Sequence, residues 1–387
     1  MKKADKTAEK QLENEKLLEE GIAASADGNV AKAIKLFGKV LRNDPKNADA
    51  YFRRGVERVR SGNLKAAFAD LDMAIELRPD FAEAYHNRSI VKRIQRDYEG
   101  ALADCDKAIG IEADNVDFHN SRGIVNHYQG EYEAAVVDYE RIIEIKPDFA
   151  DAYNNRGMAR HHLDDFEGAI VDFDKAIELV PDFVDAYRNR ADSYGGGLQN
   201  IEAALLDYGK AIALEADNVD TYNNRANLLL NQGDYDDAVA DFEKVLELDN
   251  KNGFALNGLG LVHSYQSDFK TALKFYKRAA KVERNALNTL YNLAVVSVRQ
   301  WGVAKADKAL EKARRRINES MESERDRGAA FYAAGGLATL EGDYDDALDL
   351  LKQAIELESN ASDWAGQDIA WNDLREDKRF LELIAGE

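Results

Sequence analysis

A-Y-N-N-R-G at Ala152–Gly157, followed from Ala169 by A-I-V-D-F-D-K-A-I-E-L-V-P-D, decides the fold, because the chain repeats it. Near-copies read A-Y-H-N-R-S from Ala84, A-Y-R-N-R-A from Ala186 and T-Y-N-N-R-A from Thr221. The tyrosines Tyr51, Tyr85, Tyr153, Tyr187 and Tyr222 mark the register, with adjacent copies about 34 residues apart. A unit that short cannot enclose a hydrophobic core of its own, so the units must stack. Function in such a chain is expected in a surface, not in a pocket of catalytic groups.

Aligning on the small residue four places after the tyrosine gives ten units, from Gly21, Gly55 and Ser89 through Gly123, Gly157, Ala191, Ala226, Gly260 and Ala294 to Gly335. Nine of them carry an alanine twelve residues later, as at Ala33, Ala135, Ala169 and Ala347. The unit at Ala191 reaches its equivalent, Ala204, one residue late. Small residues at fixed offsets on two helices allow the close backbone approach of an antiparallel helical hairpin. Asp80, Asp114, Asp148, Asp182 and Asp217 read as N-caps of first helices, each with an acid three residues on. Pro45, Pro79, Pro147 and Pro181 end the preceding helices, and Gly62, Gly130, Gly233 and Gly342 mark the turns inside hairpins.

The small residue, the alanine, the later aromatic (Tyr139, Phe173, Phe242, Tyr276) and the closing proline resemble the tetratricopeptide repeat. The resemblance covers residues 17–360. It implies an all-α, right-handed superhelical solenoid of about ten helix-turn-helix repeats with a C-terminal capping helix, whose first helices line a concave groove for extended peptides. The domain reading is a charged N-terminal lead-in over 1–16, the solenoid over 17–360 and the cap over 361–387.

Internal copies also expose a correlation. Six units carry an arginine before the small residue, Arg54, Arg88, Arg122, Arg156, Arg190 and Arg225. The same six carry an aspartate on the second helix, Asp70, Asp104, Asp138, Asp172, Asp207 and Asp241. Later units replace both members with apolar residues, as in Leu259 with Phe275, Leu293 with Ala309 and Ala334 with Leu350. The two positions are therefore expected to meet across the hairpin; recent duplication of both residues is the other account. Either way the arginines read as structural.

Composition narrows the function class. A formal charge of −20 argues against a nucleic-acid binder, which needs clustered Lys and Arg, and favours a basic or neutral protein or peptide partner. No stretch approaches the roughly 18 apolar residues of a membrane span, so no membrane insertion is expected. The N-terminal M-K-K-A-D-K-T-A-E-K has no apolar run, so no secretory signal is read in it and a cytoplasmic location is the default expectation. The lone Cys105 leaves no disulfide framework and reads as a buried structural thiol. No cofactor and no metal are expected.

The candidate peptide-binding residues lie on the first helices. Asn87, Asn155, Asn189, Asn224 and Asn292 occur two places after the aromatic position. This ladder is similar to that in the repeat arm of O-linked N-acetylglucosamine transferase, which implies contact with a peptide backbone. An amide offers one acceptor and two donors, matching a peptide unit without demanding a particular side chain. The other reading of these asparagines is as solvated positions or bonds between neighbouring units. Flanking residues Asn120, Asn154, Asn223, His127 and His161, with Arg93 and Asn231, would tune specificity. A metal site at His127 and His161 lacks a carboxylate or thiolate signature; a pH-sensitive or aromatic-contacting stretch of the groove fits better. The family's clamp for chaperone C-termini is missing as a set, since Ile22 stands in its first asparagine place and the faces open with Glu83, Asp117 and Asp151.

Two irregularities remain. Gly195-Gly196-Gly197 accompanies the one-residue insertion and reads as a longer turn or as a joint near 195–200. Residues 314–327 add length between units and carry the basic cluster Arg314–Arg316, read as an extended second helix with a solvated charged face. The tail from Trp371 reads as an amphipathic helix covering the stack with Leu374, Phe380, Leu381 and Ile384. The expected function is a non-enzymatic scaffold binding an extended partner segment in its groove. The alternative is a regulatory or targeting subunit that docks a folded partner through its convex face or termini.

Overall fold

The computed structural model describes residues 2–358 and 360–386, with side chains from Lys10 onward. Among the described residues the chain is all-α, without strands. Two compact units, Met1–Asp207 and Tyr208–Glu387, divide the helices.

In the first unit the hairpins are α1 (Lys2–Ala26) with α2 (Val30–Asn43), α3 (Ala48–Arg60) with α4 (Leu64–Leu77), α5 (Ala82–Ile94) with α6 (Tyr98–Ile111), α7 (Val116–Gln129) with α8 (Tyr132–Ile145), and α9 (Ala150–His162) with α10 (Phe166–Leu179). After α11 (Val184–Asp192) a π-helical turn covers Ser193–Gly197, and the division between units falls within α12 (Ile201–Leu214). The second unit holds α13 (Val219–Gln232) with α14 (Tyr235–Leu248), α15 (Gly253–Tyr265) with α16 (Phe269–Val282), α17 (Leu287–Trp301) with α18 (Val303–Met321), and α19 (Arg327–Glu341) with α20 (Tyr344–Leu357). The described part of the charged lead-in, from Lys2, is helical, and α1 runs from it into the first repeat.

The hairpins close where a small residue admits a bulky one. A Cβ on Gly157 would lie 2.7 Å from the Phe173 ring, and one on Gly123 would lie 2.8 Å from Tyr139. Both aromatic side chains are buried, so the glycines define how near the two helices of a hairpin come. Where Ser89 replaces glycine, the second helix offers Cys105, and both are fully buried. Burial pushes the Cys105 thiol up to about 11, which keeps it protonated and inert.

Capping follows a different rule from the one read in the sequence. The aspartates Asp80, Asp114, Asp148, Asp182 and Asp217 are not the caps of the first helices. Each sits one residue too early, and the cap positions are Phe81, Asn115, Phe149, Phe183 and Asn218. Where asparagine stands there, its side chain accepts a first-turn N–H, as Asn115 does from Asp117 at 3.1 Å. Where phenylalanine stands there, no side-chain cap forms and the ring goes inward, Phe81 being 6% exposed. Core burial is preferred to a cap of about 1 kcal/mol.

The turns inside hairpins use the left-handed region, at φ 76° to 85° for Gly62, Gly130, Gly233 and Gly342. Arg96, Asp164, Gln199 and Ser267 hold the equivalent strained place in other hairpins.

The core is organised differently in the two units. In the first it breaks into small clusters that join one hairpin to the next, such as Ala135, Tyr139 and Ile142 with Ala152 and Ala159. In the second, the last two hairpins share one large cluster with the C-terminal segment. That segment is not one helix but α21 (Ala361–Gln367), a 3-10 turn (Ile369–Leu374) and α22 (Lys378–Ala385). Trp371, Leu374 and Phe380 are buried there, whereas Leu381 is 46% exposed. The reason is a new start at Asp377, which caps α22 through the Arg379 N–H and resets the helical phase.

Gly157→Ala is expected to destabilise the chain by about 1–3 kcal/mol. Gly196→Ala, where a Cβ meets nothing within 4 Å, should cost nothing. Urea unfolding of both variants checks this; equal losses would refute the close-approach account.

Candidate functional site on the first helices

The six arginines reach the six aspartates. Arg54–Asp70, Arg88–Asp104, Arg122–Asp138, Arg190–Asp207 and Arg225–Asp241 meet at 2.7 Å, and Arg156–Asp172 at 2.6 Å. Each aspartate is nearly inaccessible, Asp172 being 1% exposed. Two parallel N–H···O bonds lock the guanidinium, as in Arg156 Nε and Nη2 on the two oxygens of Asp172.

Two further partners were missed in the sequence. One turn after the arginine a second donor reaches the same carboxylate: Arg58 at 2.6 Å, Lys92 at 2.8 Å, Asn126 at 3.3 Å and Arg160 at 2.9 Å. Leu229 holds this place in the sixth pair, so Asp241 has Arg225 as its sole charged partner among the described residues. The arginines also bond backwards to the preceding hairpin, Arg88 to Asp72 at 2.5 Å, Arg122 to Asp106 at 2.7 Å and Arg190 to Asp174. The signal for both was in the repeats, as Arg58, Lys92, Asn126 and Arg160 four places after the arginine and as an acid two places after five of the six aspartates, Gly209 being the exception after Asp207. These groups are structural, and they fix the neighbouring face.

That face carries the asparagines. Asn189 Nδ2 donates to Asn154 Oδ1 at 3.0 Å, Asn154 Nδ2 to Asn155 Oδ1 at 3.5 Å, and Asn155 Nδ2 to Asn120 Oδ1 at 3.2 Å. The result is a donor-to-acceptor relay of four amides spanning three repeats. His86 Nε2 and Ser121 Oγ extend the pattern at 2.7 Å, and Asn257 with Thr289 repeats it in the second unit at 2.8 Å. Asn87 instead donates to the carbonyl of Glu83 in its own helix. Asn154 and Asn223 are buried at 6% and 8% exposure, whereas Asn120, Asn155, Asn189, Asn224 and Asn292 are half-buried.

His127 and His161 belong to an aromatic cluster. His127 packs edge-on against Tyr132 and His162, Tyr132 stacks on His162 at 4.6 Å, and His161 meets Phe166. The His161 ring also shares a 2.9 Å hydrogen bond with Ser193 Oγ. Burial, with His162 beside them, holds both His127 and His161 below the ordinary histidine range. Among the described residues no group of His, Cys, Asp or Glu is arranged to hold a metal ion.

The second unit adds a cavity of about 770 Å³ lined by α13, α15, α17, α19 and the C-terminal segment. Asn231, Asn257 and Asn292 line it with Phe254, Tyr291, Tyr332, Trp364 and Asp368. Arg316, read as part of a solvated face, lines this cavity as well; the extended second helix itself is present as α18. No sequence signal singled out Asp368 or the rings, because they converge from hairpins and a tail far apart in the chain.

A chain of consecutive helical hairpins with polar residues recurring on the first helices is a helical-repeat protein. It carries tetratricopeptide repeats: models of that family match residues 18–80, 125–164, 150–183 and 217–284. Among solved structures, a tetratricopeptide repeat protein from Parabacteroides merdae is 19% identical, with a TM-score of 0.55, over 64% of this chain and 98% of its own. MamA is 26% identical at a TM-score of 0.40, over 43% and 91%. YrrB, described as a TPR protein with an unusual peptide-binding site, is 24% identical at 0.41, over 48% and 95%. The first of these shows the shared fold. No curated protein matches the chain. No helix is long and apolar enough to cross a membrane, among the described residues.

Arg225→Leu is expected to cost about 3–5 kcal/mol by stranding Asp241. Arg156→Leu should cost less, because Arg160 still neutralises Asp172, and Arg225→Leu with Asp241→Leu should recover most of the loss. Urea unfolding of the three variants decides it; equal losses for the two single variants would dismiss the second cation.

The histidines give a pH test. Their folded affinity for protons is below the unfolded one, so the unfolded chain binds more protons as the pH falls through and below 6.5. Stability is complete above that range and declines below it. A His127→Gln, His161→Gln variant should lose less thermal stability than the native chain between pH 7.5 and 5.5. Parallel melting curves for the two proteins would contradict this.

Proposed function

We propose that this protein is a non-enzymatic scaffold that binds an extended segment of another protein along the groove formed by its first helices. The observation that carries the reading is the amide relay. Each relay bond uses one of the two N–H groups on its donating amide, so Asn155 and Asn189 each keep a second N–H to offer. A row of such donors at repeat spacing suits the carbonyls of an extended chain. In the proposal Asn87 belongs to the same row in the first unit, with Asn120 and Asn154 positioning it and His127 and His161 adding an aromatic contact, and Asn223, Asn224 and Asn292 are the corresponding candidates in the second unit. The excess of acids favours a neutral or basic partner.

A second reading has its own observation. Val137, Val171 and Leu206 take equivalent places on successive second helices and are 62%, 64% and 68% exposed. An apolar stripe of this kind suits docking of a folded partner on the opposite face, as in a targeting subunit.

The test is affinity capture with mass spectrometry on the native chain, an Asn155→Ala, Asn189→Ala, Asn224→Ala variant, and a Val137→Asp, Val171→Asp variant, each checked for native helicity. Partners lost only from the asparagine variant support groove binding. Partners lost only from the valine variant place recognition on the second-helix face and refute the groove.

A further inference from the structure

The cavity of the second unit has a chemistry that the asparagine ladder does not explain. Its innermost acid is Asp368. The Tyr291 and Tyr332 hydroxyls donate to Oδ2 at 2.7 and 3.0 Å, and the Ala370 N–H donates to Oδ1 at 2.8 Å. All three donors are neutral, and Oδ1 keeps lone-pair capacity. The charge of Arg299 is felt at this carboxyl without a direct bond to it, since Arg299 donates to the carbonyls of Ile369 and Ala370 at 2.7 and 3.2 Å and pairs with Asp373 at 3.1 Å.

The walls agree with that imbalance. Glu283 and Asp326 add two more carboxylates, against a single basic lining residue, Arg316, which lies 3.7 Å from Glu319. Phe254 and Trp364 stay 50% and 40% exposed although both line the cavity. Aromatic faces and carboxylates together bind cations, since ring quadrupoles attract positive charge and the apolar surroundings strengthen the ion pair. A volume of about 770 Å³ is ample for one long side chain with part of its backbone.

We propose that this cavity receives the lysine or arginine side chain of a peptide segment bound along the second unit, with Asp368 as its counter-charge and Phe254, Tyr332 and Trp364 as its aromatic wall. The proposal rests on the groove-binding reading and names its partner as a basic peptide with an apolar residue beside the charge. Desolvation holds the Asp368 carboxyl above the usual carboxylate range despite its three donors and the charge of Arg299, and an entering cation in direct contact would bring it back. Asn292, which also lines the cavity, would meet the main chain of the segment, whereas Asn257 is engaged with Gly253 and Thr289.

The test pans a displayed library of random short peptides on the full-length chain, then measures the enriched peptides by calorimetry. The expected sequences carry Lys or Arg next to an aromatic or aliphatic residue. Replacing that arginine by citrulline, or acetylating that lysine, should weaken binding at least about tenfold. Asp368→Asn should do the same, and so should Phe254→Ala, which removes a half-exposed ring and leaves the buried core in place. Enrichment of acidic or uncharged peptides, no enrichment, or unchanged affinity in both variants overturns the proposal. Binding that survives Asp368→Asn and Phe254→Ala but fails in the Asn155→Ala, Asn189→Ala, Asn224→Ala variant would leave the groove reading intact and remove this site. Binding indifferent to all of these changes removes both.

Discussion

A carboxylate shut inside each of six hairpins is the constraint from which much of this architecture follows. An isolated buried charge would cost several kcal/mol, so Asp172 and its equivalents exist only because an arginine arrives in a fixed, bidentate pose. Fixing that pose fixes the register of the first helix against the second. It also aligns the back of the guanidinium with the acid of the preceding hairpin, so one side chain sets both the closure of a repeat and its stacking. Those outer acids are exposed, Asp72 at 55% and Asp106 at 62%, and each such bond contributes only about 0–1 kcal/mol. Their role is alignment more than stability.

The chain relaxes this constraint toward its C-terminus. After Asp241 the clamp gives way to apolar residues such as Leu259, which is fully buried. Hydrophobic packing tolerates variation that an ion pair does not. The final hairpins accordingly differ most from the rest, with the longer α18 and with a C-terminal segment whose Trp371 fills the space beside Gly335. Freed of the clamp, α17 and α19 can direct Tyr291 and Tyr332 onto Asp368. The cavity of the second unit lies among these same helices.

How much of this was legible depended on whether a feature recurs. The hairpins, the close-approach glycines and the arginine–aspartate pairs repeat, so ten internal copies served as their own comparison. The second donor at Arg58, Lys92, Asn126 and Arg160 was less visible because its chemistry changes from copy to copy while its geometry does not. The caps were misread for a physical reason: Asp80 and Asn115 differ by one residue in register, and one residue of turn decides which side chain meets the first N–H groups. The Asp368 site could not be read at all. Tyr291, Tyr332 and Asp368 occur once each, and 77 residues separate the first from the last.

The amide relay raises the question of whether a group already used to join repeats can also bind a ligand. Geometry favours the double use. An asparagine side chain on a free helix surface samples several rotamers, and ordering it on binding costs about 0.5–1.5 kcal/mol. In the relay that cost is met during folding, because Asn155 is already held by Asn120 and Asn189 by Asn154. What remains on each amide is a donor with a fixed direction, at a spacing set by the stacking of repeats and therefore by the buried arginines. On the proposed reading, the first-helix face is ordered before a partner arrives, and the hydrogen bonds that hold one hairpin to the next would determine where a peptide carbonyl is met.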